Sequence, residues 1–260
     1  MNPALSPSAH APSAVSPASV APGRPPLRRL GPIQAASGLV FAAFLCLHLL
    51  TASSGLLGVA GYDATLALLR RIYRPHIVVE IVLIGGSAAV HIACAVAQMR
   101  RRGRVFSLSG PLWMRVHRLS GYFLLLVLFG HVLATRIAPT LAVAPTATGR
   151  ADFAFLAYAA LSAPAFFWPY YLLLALAGGT HLGLGLHLAS RILRRPKTEA
   201  HTGQDGPRAP QGAPSRLRLA VILTLTAVAT AGVFSILWHA SDAPRERFPE
   251  YKALADRLLP

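Results

Sequence analysis

Apolar residues fall into five long runs, divided by short stretches that are basic or rich in proline and glycine. The runs cover about Ile33 to Leu57, His76 to Met99, Val116 to Ile137, Phe166 to Ala189 and Leu217 to Ala240. Each is close to the ~20 residues that a helix needs to cross the hydrocarbon core of a bilayer. The pattern predicts an all-α chain, a multi-pass membrane bundle of five transmembrane helices. A shorter apolar stretch, Phe153 to Leu161, is expected to lie along the interface between the third and fourth spans. The ends read differently. Met1 to Pro26 is mostly Ala, Pro and Ser, and its prolines forbid a stable helix. The expected organisation is a disordered tail over residues 1–30, a five-helix transmembrane domain over 31–240 and a short polar tail over 241–260.

Composition agrees with a membrane protein. Of 260 residues, 54% are hydrophobic and 13% charged, too few charges to cover a soluble domain of this size. The net charge of +16 raises the question of nucleic-acid binding. The Lys and Arg residues flank the apolar runs, however, as topology signals do, and no soluble basic domain accompanies them. Nucleic acid is therefore not an expected partner, whereas membrane lipid is. Sixteen of the 25 basic residues fall on the side that holds the N-terminus, which the positive-inside rule assigns to the inside. The N-terminal tail lacks the apolar core of a secretory signal; its Ser-rich, acid-free character is that of a transit peptide without the amphipathic helix. Cys46 and Cys94 lie inside spans with no CxxC spacing, as small buried apolar residues do.

Chemistry enters with the histidines. Four spans carry one in their interior, His48, His91, His131 and His181, and the fifth carries none. An ionisable ring in a membrane span is costly, so such residues face the bundle interior and bind something. Neutral imidazole pairs in an apolar bundle suit b-type haem, and four of them suit two haems with two axial ligands each. Depth sorts the four. His48 and His131 lie in the outer halves of their spans, and His91 and His181 lie lower, so the expected pairs are His48 with His131 and His91 with His181. Gly178, Gly179, Gly183 and Gly185 around His181, and Gly85 and Gly86 before His91, leave room for a bulky ring and equally promote plain helix contact.

A rival pairing uses single helices, His117 with His131 and His76 with His91, since each pair shares a face. It ranks second. His76 follows Pro75 at a helix entrance and His117 stands between Arg115 and Arg118, positions that suit headgroups or haem propionates. His187 competes with His181 for the inner site; it points about 120° away on the same helix, so both cannot serve one iron. Glu80 is the acidic residue within a span, on roughly one face with His76 and His91. It is a candidate proton acceptor at a quinone site or a structural partner for an arginine. Arg136 is at the same level, available to Glu80 or to an outer propionate.

The strings that carry these residues are SGLVFAAFLCLHL around His48, RRIYRPHIVVE ending in Glu80, HRLSGY at His117, GHVLATR through Arg136 and GGTHLGLGL around His181. In order and spacing, over roughly residues 30–192, they resemble the five-helix, di-haem cytochrome b membrane anchors of succinate dehydrogenase and fumarate reductase. The resemblance implies that His48 and His131 hold one haem b and His91 and His181 the other, with quinone and flavoprotein and iron–sulphur subunits as partners. A closer likeness is to the stand-alone fungal mitochondrial relatives. That likeness implies a non-catalytic scaffold in lipid homeostasis and membrane contact, with a lipid-transfer protein as partner. The membrane implied is mitochondrial or bacterial inner. The chain has no nucleophile–base pair, phosphate loop or flavin fingerprint, and catalysis by it alone is not expected.

Overall fold

The computed structural model describes residues 27–73, 78, 80–103, 107–137, 152–194 and 212–258. Every regular element among them is helical. Helix α1 (Leu27–Ser53) passes through a 3-10 turn (Ser54–Leu57) into α2 (Gly58–Tyr73). A π-helical segment (Glu80–Gly86) leads into α3 (Ser87–Arg101). Helix α4 (Leu112–Val132) runs on into a second π-helical segment (Leu133–Ile137). Then follow α5 (Phe153–Ser162), α6 (Pro164–Leu193), α7 (Arg216–Trp238) and α8 (Phe248–Leu258). Five stretches are long and apolar enough to span a membrane: Leu30–Ile72, Glu80–Arg101, Leu112–Ile137, Pro164–Leu193 and Arg216–Asp242. Large apolar side chains such as Leu126, Phe129 and Leu217 point outward, as in a bundle solvated by lipid.

The long helices alternate in direction. Gln34 near the start of α1 meets Gln98 near the end of α3. His117 near the start of α4 meets His181 late in α6, and Tyr170 early in α6 meets His131 late in α4. Within the helices, Ser and Thr hydroxyls return to carbonyls three or four residues back, as Thr51 does to Leu47 and Thr230 to Thr226. This satisfies a polar group where lipid offers it no partner.

Small residues set how closely the helices approach. Gly179 and Gly183 of α6 lie against Thr226 and Ile222 of α7. At the end of α1 the approach is backbone to backbone. A Cβ on Gly232 would run into the Ala52 carbonyl and come within 2.6 Å of Ser53 Cα, so only glycine fits the crossing. Ser235 Oγ donates to the Gly55 carbonyl across it at 2.9 Å.

Beyond this crossing the chain forms a compact cap that hydropathy alone did not anticipate. Tyr62 and Leu66 of α2, Phe153, Ala157 and Ala160 of α5, and Ile236 and Leu237 of α7 form one buried cluster. Phe153 is fully enclosed. The interfacial stretch expected at Phe153 to Leu161 is thus α5, packed inside the cap. Asp63 Oδ1 accepts the Phe153 N–H at 3.0 Å, and Asp152 caps α5 by accepting from Phe155 N at 3.1 Å. Residues read from sequence as a polar tail contribute α8. Its Tyr251 hydroxyl donates to Asp152 Oδ1 at 2.7 Å, and Arg247 pairs with Asp152 and lies over the Tyr251 ring at 5.1 Å. Burial of Tyr251 pushes its phenol up to about 12.

Two outcomes follow. Gly232→Val should destabilise the bundle by about 2 kcal/mol, the usual order for overpacking a close contact, read as a lower unfolding midpoint in detergent. Tyr251 favours its neutral form when folded, so its contribution to stability is complete below its ordinary value near 10. It is lost as the pH rises through about 12. Wild type should therefore loosen in the cap over that range, by near-ultraviolet dichroism, while Tyr251→Phe should lose that step.

Candidate functional site

Four histidines on four helices meet as two pairs. The rings of His48 on α1 and His131 on α4 are 5.9 Å apart between centroids, with their planes at 73°. The rings of His91 on α3 and His181 on α6 are 6.3 Å apart, with their planes at 88°. In each case the structure brings together the residues that depth in the bilayer had matched.

Ring nitrogens are anchored from behind. His91 Nδ1 donates to the Gln34 carbonyl at 3.0 Å, and the Gln34 side chain is held by Gln98 Nε2 at 2.5 Å. His181 Nδ1 donates to the His117 carbonyl at 3.1 Å, with Ser120 Oγ also near it at 3.4 Å. A donor at Nδ1 fixes the tautomer whose lone pair is on Nε2, the form that ligates a metal. In the outer pair, Tyr170 Oη is 3.4 Å from His131 Nδ1, and Phe44 stacks on His48 with centroids 5.7 Å apart.

Two glycines make the space. A Cβ on Gly38 of α1 would stand 2.7 Å from His91 Nδ1, and one on Gly121 of α4 would stand 2.9 Å from His181 Cε1. Any larger residue would push the inner rings out of place. These glycines went unnoticed in the sequence, although each lies on the helix opposite its histidine, at a register that helical spacing could have supplied.

The other sequence candidates sort themselves by their neighbours. His117 stands in the second turn of α4 with its ring turned toward α6. Its ring lies flat on that of His181, 4.2 Å between centroids and 12° between planes. This stacking differs from the edge-on meeting of the two histidine pairs. Its Nδ1 is buried and has no hydrogen-bond partner among the described residues. His187 has both nitrogens engaged. Arg218 Nη1 is placed to donate to Nδ1 at 3.4 Å, and Nε2 donates to the Gly212 carbonyl at 3.3 Å. With Trp113 edge-on at 5.6 Å, His187 secures the segment that enters α7, while the ring that meets His91 is that of His181. His76 lies outside the described residues.

Glu80 and Arg136 meet each other. Arg136 Nε donates to Glu80 Oε2 at 2.6 Å and Nη2 to Oε1 at 3.2 Å, a two-point pair whose carboxylate side is only 13% exposed. Glu80 opens the π-helical segment before α3 and Arg136 lies in the one after α4. Such widened turns are frequent at functional sites.

Comparison with protein-family models, with curated proteins and with solved structures found no match.

The Glu80–Arg136 pair gives a direct test of local energetics. Arg136→Gln removes the cation that pairs at two points with a largely buried carboxylate and should cost about 3 kcal/mol in unfolding free energy. Glu80→Gln together with Arg136→Gln should cost much less than the two single changes added. Additive losses in detergent unfolding would mean that the pair is not energetically coupled.

Proposed function

We propose that the protein is a membrane b-type cytochrome that holds two haems, one between His48 and His131 and one between His91 and His181, and carries electrons across the bilayer. The observation that carries this reading is the spacing within the pairs. An imidazole bound through one nitrogen puts its ring centre about 3.1 Å from the metal, so two trans imidazoles stand about 6.2 Å apart. The observed 5.9 Å and 6.3 Å fit that span. Simple ring packing accommodates similar separations, but it does not require the inner Nδ1 atoms to be tied back to Gln34 and His117. That arrangement is what an axial histidine needs around it.

When bound, haem b supplies one-electron chemistry at each pair. The residues do the rest. The carbonyls of Gln34 and His117 orient the inner imidazoles and raise their basicity as ligands. Gly38 abuts His91, and His48 is ten residues further along α1, so the two levels are about 15 Å apart along that helix. Phe41 and Phe44 occupy the interval, with 5.7 Å between their rings and 5.7 Å from Phe44 to His48. The basic ends of α3, α4 and α6 face the inside, as positive loops do, and the cap faces outside. With a group held at each pair, electrons would pass between a partner on the basic side and quinone, as in the anchor subunits that the sequence resembles.

Reduced-minus-oxidised spectra of the purified chain and its variants test the reading. Wild type should have a haem b spectrum. His48→Ala and His131→Ala should remove one and the same component, and His91→Ala and His181→Ala the other. A wild-type protein without haem would sink the proposal and leave the scaffold role implied by the fungal likeness. Loss of different components by His48→Ala and His131→Ala would refute the pairing.

A further inference from the structure

We infer that His117 is a positioning residue: its ring and its carbonyl together hold the His181 ring perpendicular to that of His91, and so set the electronic state of the inner centre. The inference rests on the reading of His91 and His181 as axial ligands.

His117 touches the same ring twice. Its carbonyl accepts from His181 Nδ1 at 3.1 Å, and its imidazole lies parallel to that of His181 at 4.2 Å. The two contacts do different work. The hydrogen bond at Nδ1 selects the ligating nitrogen and ties one edge of the ring. A flat neighbour on the ring face blocks rotation of the ring directly. Gly121, one helical turn on, brings α4 close beside the same ring, where a Cβ would stand 2.9 Å from Cε1. The ring of His181 thus sits in a slot made by one turn of α4. On the α6 side, a Cβ at Gly185 would stand in ordinary contact with His117 Cε1 at 3.5 Å.

The ring that stacks on His48 is Phe44, on the same helix, at 5.7 Å and 20°, and the outer planes meet at 73° rather than 88°. The consequence concerns orbitals. Perpendicular axial imidazoles each donate to a different dπ orbital of the iron and keep the two close in energy. Parallel imidazoles donate to the same one and separate them. Ferric low-spin iron reports the difference in electron paramagnetic resonance: a single feature at large g for perpendicular planes, a rhombic three-line spectrum as the planes turn parallel.

The experiment uses the full chain with its haems, oxidised, and takes as the inner signal the one that His91→Ala removes. Wild type should give that signal as a large-g feature. His117→Ala keeps the carbonyl and deletes the ring, and should convert the inner signal toward the rhombic form with the outer signal unchanged. His117→Phe restores a flat ring in the same slot and should restore the large-g feature. The inference is overturned if His117→Ala leaves the inner signal as in wild type, or if His117→Phe behaves as His117→Ala does. Should His117→Ala lose the inner haem, His117→Phe decides: retention with a large-g signal supports the role, and loss overturns it. A wild-type chain with no haem would overturn the axial-ligand reading itself, which the spectra detect separately.

Discussion

A histidine ring inside an apolar bundle has two nitrogens to satisfy and no water to satisfy them, and this requirement ties α1, α3, α4 and α6 together. The His91 ring reaches from α3 to a carbonyl of α1, and the His181 ring from α6 to a carbonyl of α4. Each bond spans two helices, so each fixes a register as well as a tautomer. An unpaired buried donor costs on the order of 1–3 kcal/mol, enough to penalise a slip of either helix pair by one residue. With Nδ1 engaged, each inner ring keeps Nε2 as the nitrogen that can accept a proton or ligate. The metal-binding reading and the packing of the bundle thus rest on the same contacts.

Glycine makes those contacts geometrically possible. Backbones must come close for a carbonyl on one helix to reach a ring on the next, and Gly38 and Gly121 provide that closeness beside the inner pair. The same device recurs at Gly179 and Gly183, where α6 meets α7, and at Gly232, where α7 meets the end of α1. The fifth long helix carries no interior histidine, and it buttresses α1 and α6, which do. Outside the bundle, Asp63 and Asp152 play the matching part for the cap, since each accepts a backbone N–H at the start of α5.

Much of the bundle was legible in the sequence because hydropathy and helical rise act locally. Run length located all five long spans, although the first runs on through α2 as far as Ile72. Counting residues from each span end paired His48 with His131 and His91 with His181. Arg136 was a stated partner for Glu80 because the two shared a level. The elements that escaped have a common cause. Helices α2 and α8 are short and depend on distant neighbours: Tyr62 and Leu66 are buried against Phe153, and Tyr251 binds Asp152, 99 residues away. Local periodicity alone makes such segments marginal. The stack of His117 on His181 escaped for a further reason. Flanking arginines marked His117 as interfacial, whereas the ring turns inward from the second turn of α4.

The account stands on two imidazole pairs each spaced for one haem. Its most direct test is the haem content of the full-length chain, purified from membranes and measured against protein concentration. The account predicts about two haem b per chain, non-covalently held, as expected for bis-histidine sites without a CxxCH attachment. A chain that purifies without haem, and that takes up none when haem is supplied, would contradict it.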